Sequence, residues 1–154
     1  DETRRPHGVV AAILPYNASI MGAAAKMAPA LLVGNTVVTK APPQNPLAML
    51  RLFAHIEAAG IGRDVAPLIT GRSAAIGEAL VADGRVRMIS FTGSTAVGVA
   101  IQREAAGRLA RTALELGGKG ALIAAADADV DGVVAALAGV WTRQAGQICS
   151  IPSR

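Results

Sequence analysis

Apolar residues in this chain fall into two alternating rhythms. Residues 9–14 form a short continuous apolar run and residues 35–40 (Asn-Thr-Val-Val-Thr-Lys) a β-branched one; residues 65–70, 86–91 and 111–116 repeat the pattern, and 121–125 reads as one more. Runs this short, without a helical stripe, predict strands buried on both faces. Between them the spacing turns helical. Residues 19–32 carry apolar positions on one face, with Pro29 expected to kink or end the helix. Asn45 then stands as an N-cap before Pro46 at the first helical position, Leu47, Leu50 and Ile56 follow, and Gly60 supplies the stop. Further helices are expected over about 74–81, from Ser94 to about 106, and over about 130–143, the last preceded by Asp127, Asp129 and Asp131, whose charges suit its positive end.

Strands alternating with helices predict an α/β fold: a doubly wound, Rossmann-like parallel sheet with helices on both faces. Ligands of such sheets bind beyond the carboxyl ends of the strands. Those ends carry Pro15-Tyr16-Asn17, Lys40, Thr70-Gly71, Thr92-Gly93-Ser94 and Glu115-Leu116-Gly117-Gly118, which places every chemically interesting turn on one edge.

Composition narrows the function classes. Apolar residues make up 52% of the 154, yet only four residues are aromatic (two Phe, one Tyr, one Trp), so the core is built from small aliphatic side chains that let helices lie close to a sheet. The apolar runs fall well short of the roughly 18 residues of a membrane span, and the run at 9–14 is too short for a signal peptide. One cysteine allows no intrachain disulfide, which makes a reducing cytoplasm the expected compartment. The net charge of +4 comes from scattered arginines rather than a basic run with stacking aromatics, which argues against nucleic acid. The chain opens without methionine and stops shortly after Cys149, so it is expected to be part of a longer protein.

The candidate chemistry rests on few residues. Cys149, in Gly146-Gln147-Ile148-Cys149-Ser150, is either a small buried hydrophobe or a thiol presented on a turn. Glu115 ends an apolar strand, where an unpaired carboxylate is costly unless it faces a cleft. Asn17 either shapes the turn after Pro15 or offers its amide to a developing oxyanion. Lys40 is a surface lysine or a ribose or phosphate contact. The segments Gly71 to Gly77 and Gly93 to Gly98 both lead a strand into a helix N-terminus, which attracts phosphate, but neither is a Gly-x-Gly-x-x-Gly fingerprint or a Walker loop. His7 and His55 lack partners at metal-ligand spacing, so no metal site is expected.

Taken in order, these motifs resemble the NAD(P)-dependent aldehyde dehydrogenases. The resemblance is carried by Pro6-His7-Gly8-Val9-Val10, Pro15-Tyr16-Asn17, Ala28-Pro29-Ala30-Leu31 with Gly34-Asn35-Thr36-Val37-Val38, and Lys40. It continues through Phe91-Thr92-Gly93-Ser94 with Val97-Gly98, Glu115-Leu116-Gly117-Gly118-Lys119 and Gly146-Gln147-Ile148-Cys149. It implies that Cys149 is the nucleophile, that the Asn17 amide and the Cys149 N–H hold the oxyanion, and that Glu115 activates the hydrolytic water. It also implies that NAD or NADP lies along Ile13, Leu14, Pro15 and Tyr16, with Lys40, Pro42 and Pro43 at the adenosine ribose. Gly71, Gly77, Phe91, Thr92, Gly93, Ser94, Val97, Leu116 and Gly117 would line the rest of the path.

The implied organisation is a cofactor-binding domain over 1–117 and the start of a catalytic domain over 118–154. A small-molecule aldehyde would be the substrate and a homodimer or homotetramer the assembly of the parent protein. The chain departs from the family pattern at two places. Pro43 stands where many NAD-preferring members have a ribose-chelating glutamate, which leaves NADP open. Gln144 stands where many have asparagine. Two rival readings stay open: a CoA-acylating semialdehyde dehydrogenase, against which Glu115 speaks, and a noncatalytic nucleotide-binding module. The 154 residues alone are expected to bind cofactor weakly and not to turn over aldehyde.

Overall fold

The computed structural model describes residues 5–153, which separate into two compact units with the boundary between Glu115 and Leu116. The first is built on a five-stranded sheet in the order β3-β2-β1-β4-β5. Its strands are β1 (Val9–Ile13), β2 (Thr36–Lys40), β3 (Leu68–Ile69), β4 (Val86–Gly93) and β5 (Arg111–Leu116). Four helices alternate with them: α1 (Ser19–Leu32), α2 (Pro46–Ala58), α3 (Ala74–Ala82) and α4 (Thr95–Ala106). β1 pairs in parallel with β2 and β4, and β2 with β3, so the doubly wound parallel architecture is the one observed.

Burial follows from the central place of β1. Side chains alternate between faces along a strand. Val10, Ala12 and Leu14 join Val37 and Ala41 on one face, where Ala23 and Met27 of α1 and Met49 of α2 close the core. Ala11 and Ile13 point the other way, level with Ile89 and Phe91. That second face is the one α3 and α4 cover with Val81, Ile101 and Ala105. Alanine at 11 and 12, fully buried, lets both helical layers approach the middle strand.

Helix ends follow local chemistry. Gly34 and Gly60 adopt left-handed φ values of 85° and 92°. Each closes a Schellman motif: Asn35 N–H donates to Ala30 C=O and Gly34 N–H to Leu31 C=O after α1, with Ile61 to Ile56 and Gly60 to Glu57 after α2. Pro29, expected to kink or end α1, lies inside it without ending it. It sits on the exposed face beside exposed Ala25, where the orphaned carbonyl reaches water, and the helix runs on to Leu32.

The strand expected over 65–70 shrinks to Leu68–Ile69, although Val37, Thr39 and Ala41 still donate to the carbonyls of Val65, Pro67 and Ile69. Pro67 has no N–H to return, so the ladder there is one-sided.

The second unit holds α5 (Val130–Trp141) and a short 3₁₀ turn at Arg143–Gly146. Asp129 caps α5 by accepting from Asp131 N–H. The strand expected over 121–125 does not form. Among the described residues only Gly120 finds a β partner there, Pro152, and proline cannot extend a ladder in both directions. The helix expected to reach 143 stops at Trp141, where the backbone turns left-handed at Gln144 and Ala145. No described helix is long and apolar enough to cross a membrane.

Candidate active site

The sheet register sets the site. Ile13 is the Cα partner of both Lys40 and Phe91, and Lys40 is the partner of Ile69. The last positions of β1, β2 and β3 therefore stand level with Phe91 of β4. The turns beyond this row, Pro15-Tyr16-Asn17, Ala41-Pro42-Pro43, Thr70-Gly71 and Thr92-Gly93-Ser94, leave from one edge. Lys40 shares its face with Ile13 and Phe91, the face covered by α3 and α4.

Two helices begin at this edge. The Ser73 hydroxyl caps α3 by accepting from Ala75 N–H, and the Ser94 hydroxyl caps α4 by accepting from Val97 N–H. Neither helix has an acidic residue in its first turn, so no carboxylate of that turn offsets the positive end of its dipole. Gly93 is required by close packing: a Cβ there would lie 2.4 Å from Phe91 Cζ. A Cβ on Gly71 would lie 2.3 Å from Ile76 Cδ1, so that side-chain tip would have to move to admit one. Gly77 sits inside α3 with open space around its missing Cβ. Pro42 is buried, whereas Pro43 and Val97 are exposed.

On the other face of the edge, Tyr16, Asn17, Ser19, Met21, Asn45 and Ala48 are among the residues lining an open hollow of about 240 Å³. Tyr16 is 47% and Met21 71% exposed, which gives the hollow an apolar lip. Asn45 stands at the cap position of α2 but makes no capping bond. Its Nδ2 donates instead to Tyr16 C=O at 3.0 Å and to Ser19 Oγ at 2.6 Å.

Glu115 is exposed on β5, so its carboxylate escapes the cost of burial at the end of an apolar strand. Its charge acts on Lys26, a half-buried residue of α1 whose Nζ donates to Ser90 Oγ at 2.9 Å. Burial lowers the Lys26 pKa, and Glu115 pulls it back up. The sequence motifs leave out Lys26 and mark Asn45 only as the cap of α2. Lys26 directly precedes Met27 on the buried side of a helix, a placement that signals a cation drawn inward.

Cys149, Leu116 and Gly117 belong to the second unit. Ile151 N–H donates to Ile148 C=O, closing a turn with Cys149 and Ser150 at its centre, and the thiol is exposed. The segment after the turn is tied on two sides. Trp141 Nε1 donates to Pro152 C=O at 2.6 Å, and Ser153 N–H donates to Gly120 C=O at 2.9 Å. Gly120 packs closely there: a Cβ would sit 3.1 Å from Ile151 O and press on that backbone. The first unit thus gathers Asn17, Lys40 and the β4 to α4 turn at one edge, while the nucleophile candidate stands on the other unit. No group of three or more His, Cys, Asp or Glu among the described residues is placed to hold a metal.

The model of the aldehyde dehydrogenase family matches residues 2–154. Betaine aldehyde dehydrogenase of Bacillus subtilis is 40% identical over 151 residues, 98% of this chain and 31% of that protein. D-glyceraldehyde dehydrogenase (NADP(+)) of Thermoplasma acidophilum is 38% identical over 97% of this chain and 30% of its own length. Among solved structures, a double mutant of Staphylococcus aureus betaine aldehyde dehydrogenase in complex with NAD+ superposes with a TM-score of 0.92 at 36% identity, over 97% of this chain and 30% of that one. The chain belongs to the aldehyde dehydrogenase family. It spans about 30% of the length of the relatives it matches.

Proposed function

We propose that the protein carrying this chain oxidises an aldehyde to a carboxylic acid with NAD or NADP, and that residues 118–154 begin the catalytic domain that follows a cofactor-binding domain. The observation that carries this reading is the level row of Ile13, Lys40, Ile69 and Phe91, from which the turns after β1, β2, β3 and β4 leave. The donor set at that edge suits a dinucleotide. The uncompensated N-terminus of α4 with Ser94 suits the diphosphate, Lys40 the ribose, and exposed Val97 an apolar ring surface. A dinucleotide held there would supply the acceptor for the hydride that leaves the substrate carbon.

The chain's own residues do the rest. The Cys149 thiolate adds to the aldehyde carbon, forming a C–S bond and an oxyanion that the Asn17 amide and the Cys149 N–H stabilise. Loss of hydride from that carbon re-forms the carbonyl as a thioester. Water then adds to the thioester as Glu115 takes its proton, the C–S bond breaks, and the acid leaves with the thiolate restored. The exposure of both Cys149 and Glu115 supports these roles, since each must meet a small molecule. Pro43 offers no carboxylate to repel a 2′-phosphate, so NADP is accepted alongside NAD.

The test is stopped-flow NADH or NADPH formation by the full-length protein. Cys149→Ala is expected to abolish it. Glu115→Gln is expected to leave a first-turnover burst and slow the steady state. Unchanged steady turnover in Glu115→Gln would remove Glu115 as the base, and strict dependence on added CoA would replace hydrolysis by acyl transfer.

A further inference from the structure

Asparagine is among the best helix-capping residues, and Asn45 occupies a cap position without capping. Its side-chain oxygen is buried without a partner, while its Nδ2 is spent on the Pro15-Tyr16-Asn17 turn. Local structure gives no return for this arrangement, so its benefit lies where the donor points.

The acceptor is the carbonyl of the Tyr16–Asn17 peptide. A peptide unit is planar and rigid from one Cα to the next, so holding the Tyr16 oxygen orients the Asn17 N–H and Cα together. The second Nδ2 bond, to Ser19 Oγ, fixes the other flank of Asn17 at the first residue of α1, a position only 4% exposed. Asn45 reaches this turn from the loop between β2 and α2, and both side chains line the same hollow.

We propose that Asn45 is a positioning residue that aims the Asn17 amide. The inference rests on the reading of Asn17 as an oxyanion donor. Asn45 touches neither substrate nor cofactor in this role; it removes the freedom of the turn that carries the donor.

Asn45→Asp separates this role from stability. Aspartate keeps the shape, caps a helix well and suits its positive end, but it has no N–H to give Tyr16. Asn45→Ser, also a capping residue and uncharged, is too short to reach that carbonyl and controls for the added charge. Both are measured in the full-length protein by the pre-steady-state burst rate, by thermal unfolding, and by how far aldehyde slows alkylation of Cys149 without cofactor.

Both variants are expected to unfold no earlier than wild type, lose about tenfold in burst rate, and protect Cys149 less. Asn17→Ala is expected to lose about a hundredfold, and adding Asn45→Asp to it should cost nothing more. An unchanged burst in Asn45→Asp and Asn45→Ser, or losses that multiply in the double variant, would overturn the positioning role while leaving Asn17 in place. If Asn17→Ala itself left the burst unchanged, the oxyanion reading would fall, and this inference with it.

Discussion

Lys26 Nζ donates to Ser90 Oγ at 2.9 Å, joining α1 to β4 across 64 residues of chain. Burial disfavours the ammonium, so the folded protein holds this proton less tightly than the unfolded chain. Stability therefore rises as pH climbs from the lowered folded pKa toward the unfolded value of 10.5. Glu115 opposes the shift. Glu115→Gln should move the Lys26 titration to lower pH, followed by the ¹³Cε shift of that lysine. An unmoved midpoint would mean that the carboxylate does not reach Lys26.

Asn35 bolts the amino edge of the sheet. It is 5% exposed, accepts from Gly8 N–H at 3.0 Å and donates to Ala30 C=O at 2.9 Å. Asn35→Ala leaves Gly8 N–H without this acceptor and is expected to cost about 2 kcal/mol. The measurement is a lower urea midpoint at unchanged slope. A shift too small to resolve would show that water replaces the side chain.

Asp83 and Arg85 form an exposed pair in the turn between α3 and β4. Arg85 donates from its guanidinium at 2.6 Å and from its backbone N–H at 2.9 Å, and these bonds hold the Asp83 carboxyl below the usual carboxylate range. A depressed carboxyl contributes above its unfolded pKa of 3.8 and loses that contribution as pH falls below it. Arg85→Ala should raise the Asp83 midpoint part of the way, because the backbone donor remains. NMR of the Asp83 carboxyl carbon reads this directly; full return to the ordinary value would assign the whole shift to the guanidinium.

Much of this structure is legible in the sequence, and the exceptions share a cause. The Asn45-Pro46 start and Gly60 stop of α2, the bounds of α1 and β5, and the common edge of the turns all follow from residue type and spacing, which act locally. What escaped depends on partners distant in sequence. The strand at 121–125 failed because, among the described residues, only the single Gly120–Pro152 bridge lies beside it. β3 was cut short by what Pro67 cannot give to β2. Asn45 read as a cap because the competing acceptor, Tyr16 C=O, is 29 residues away. The candidate nucleophile was visible as a lone cysteine after glycine, but the ties of its segment to Trp141 and Gly120 were not.

Ala145 carries the sharpest local test of the segment leading to Cys149. Gln144, Ala145 and Gly146 are consecutive left-handed residues, with φ of 48°, 53° and 77°. Only the last is a residue without a Cβ penalty there. A non-glycine residue in this region costs about 1–2 kcal/mol, and glycine gives back about 0.4–1 kcal/mol through the entropy of the unfolded chain. Ala145→Gly should therefore stabilise the segment by about 0.5 kcal/mol net of these terms. Gln147 N–H donates to Gln144 C=O across the same bend, so its hydrogen exchange should slow in Ala145→Gly, while that of β1 stays unchanged. Faster exchange at Gln147 would mean that the alanine side chain restrains the bend, and that its left-handed conformation is not a strain the loop would shed.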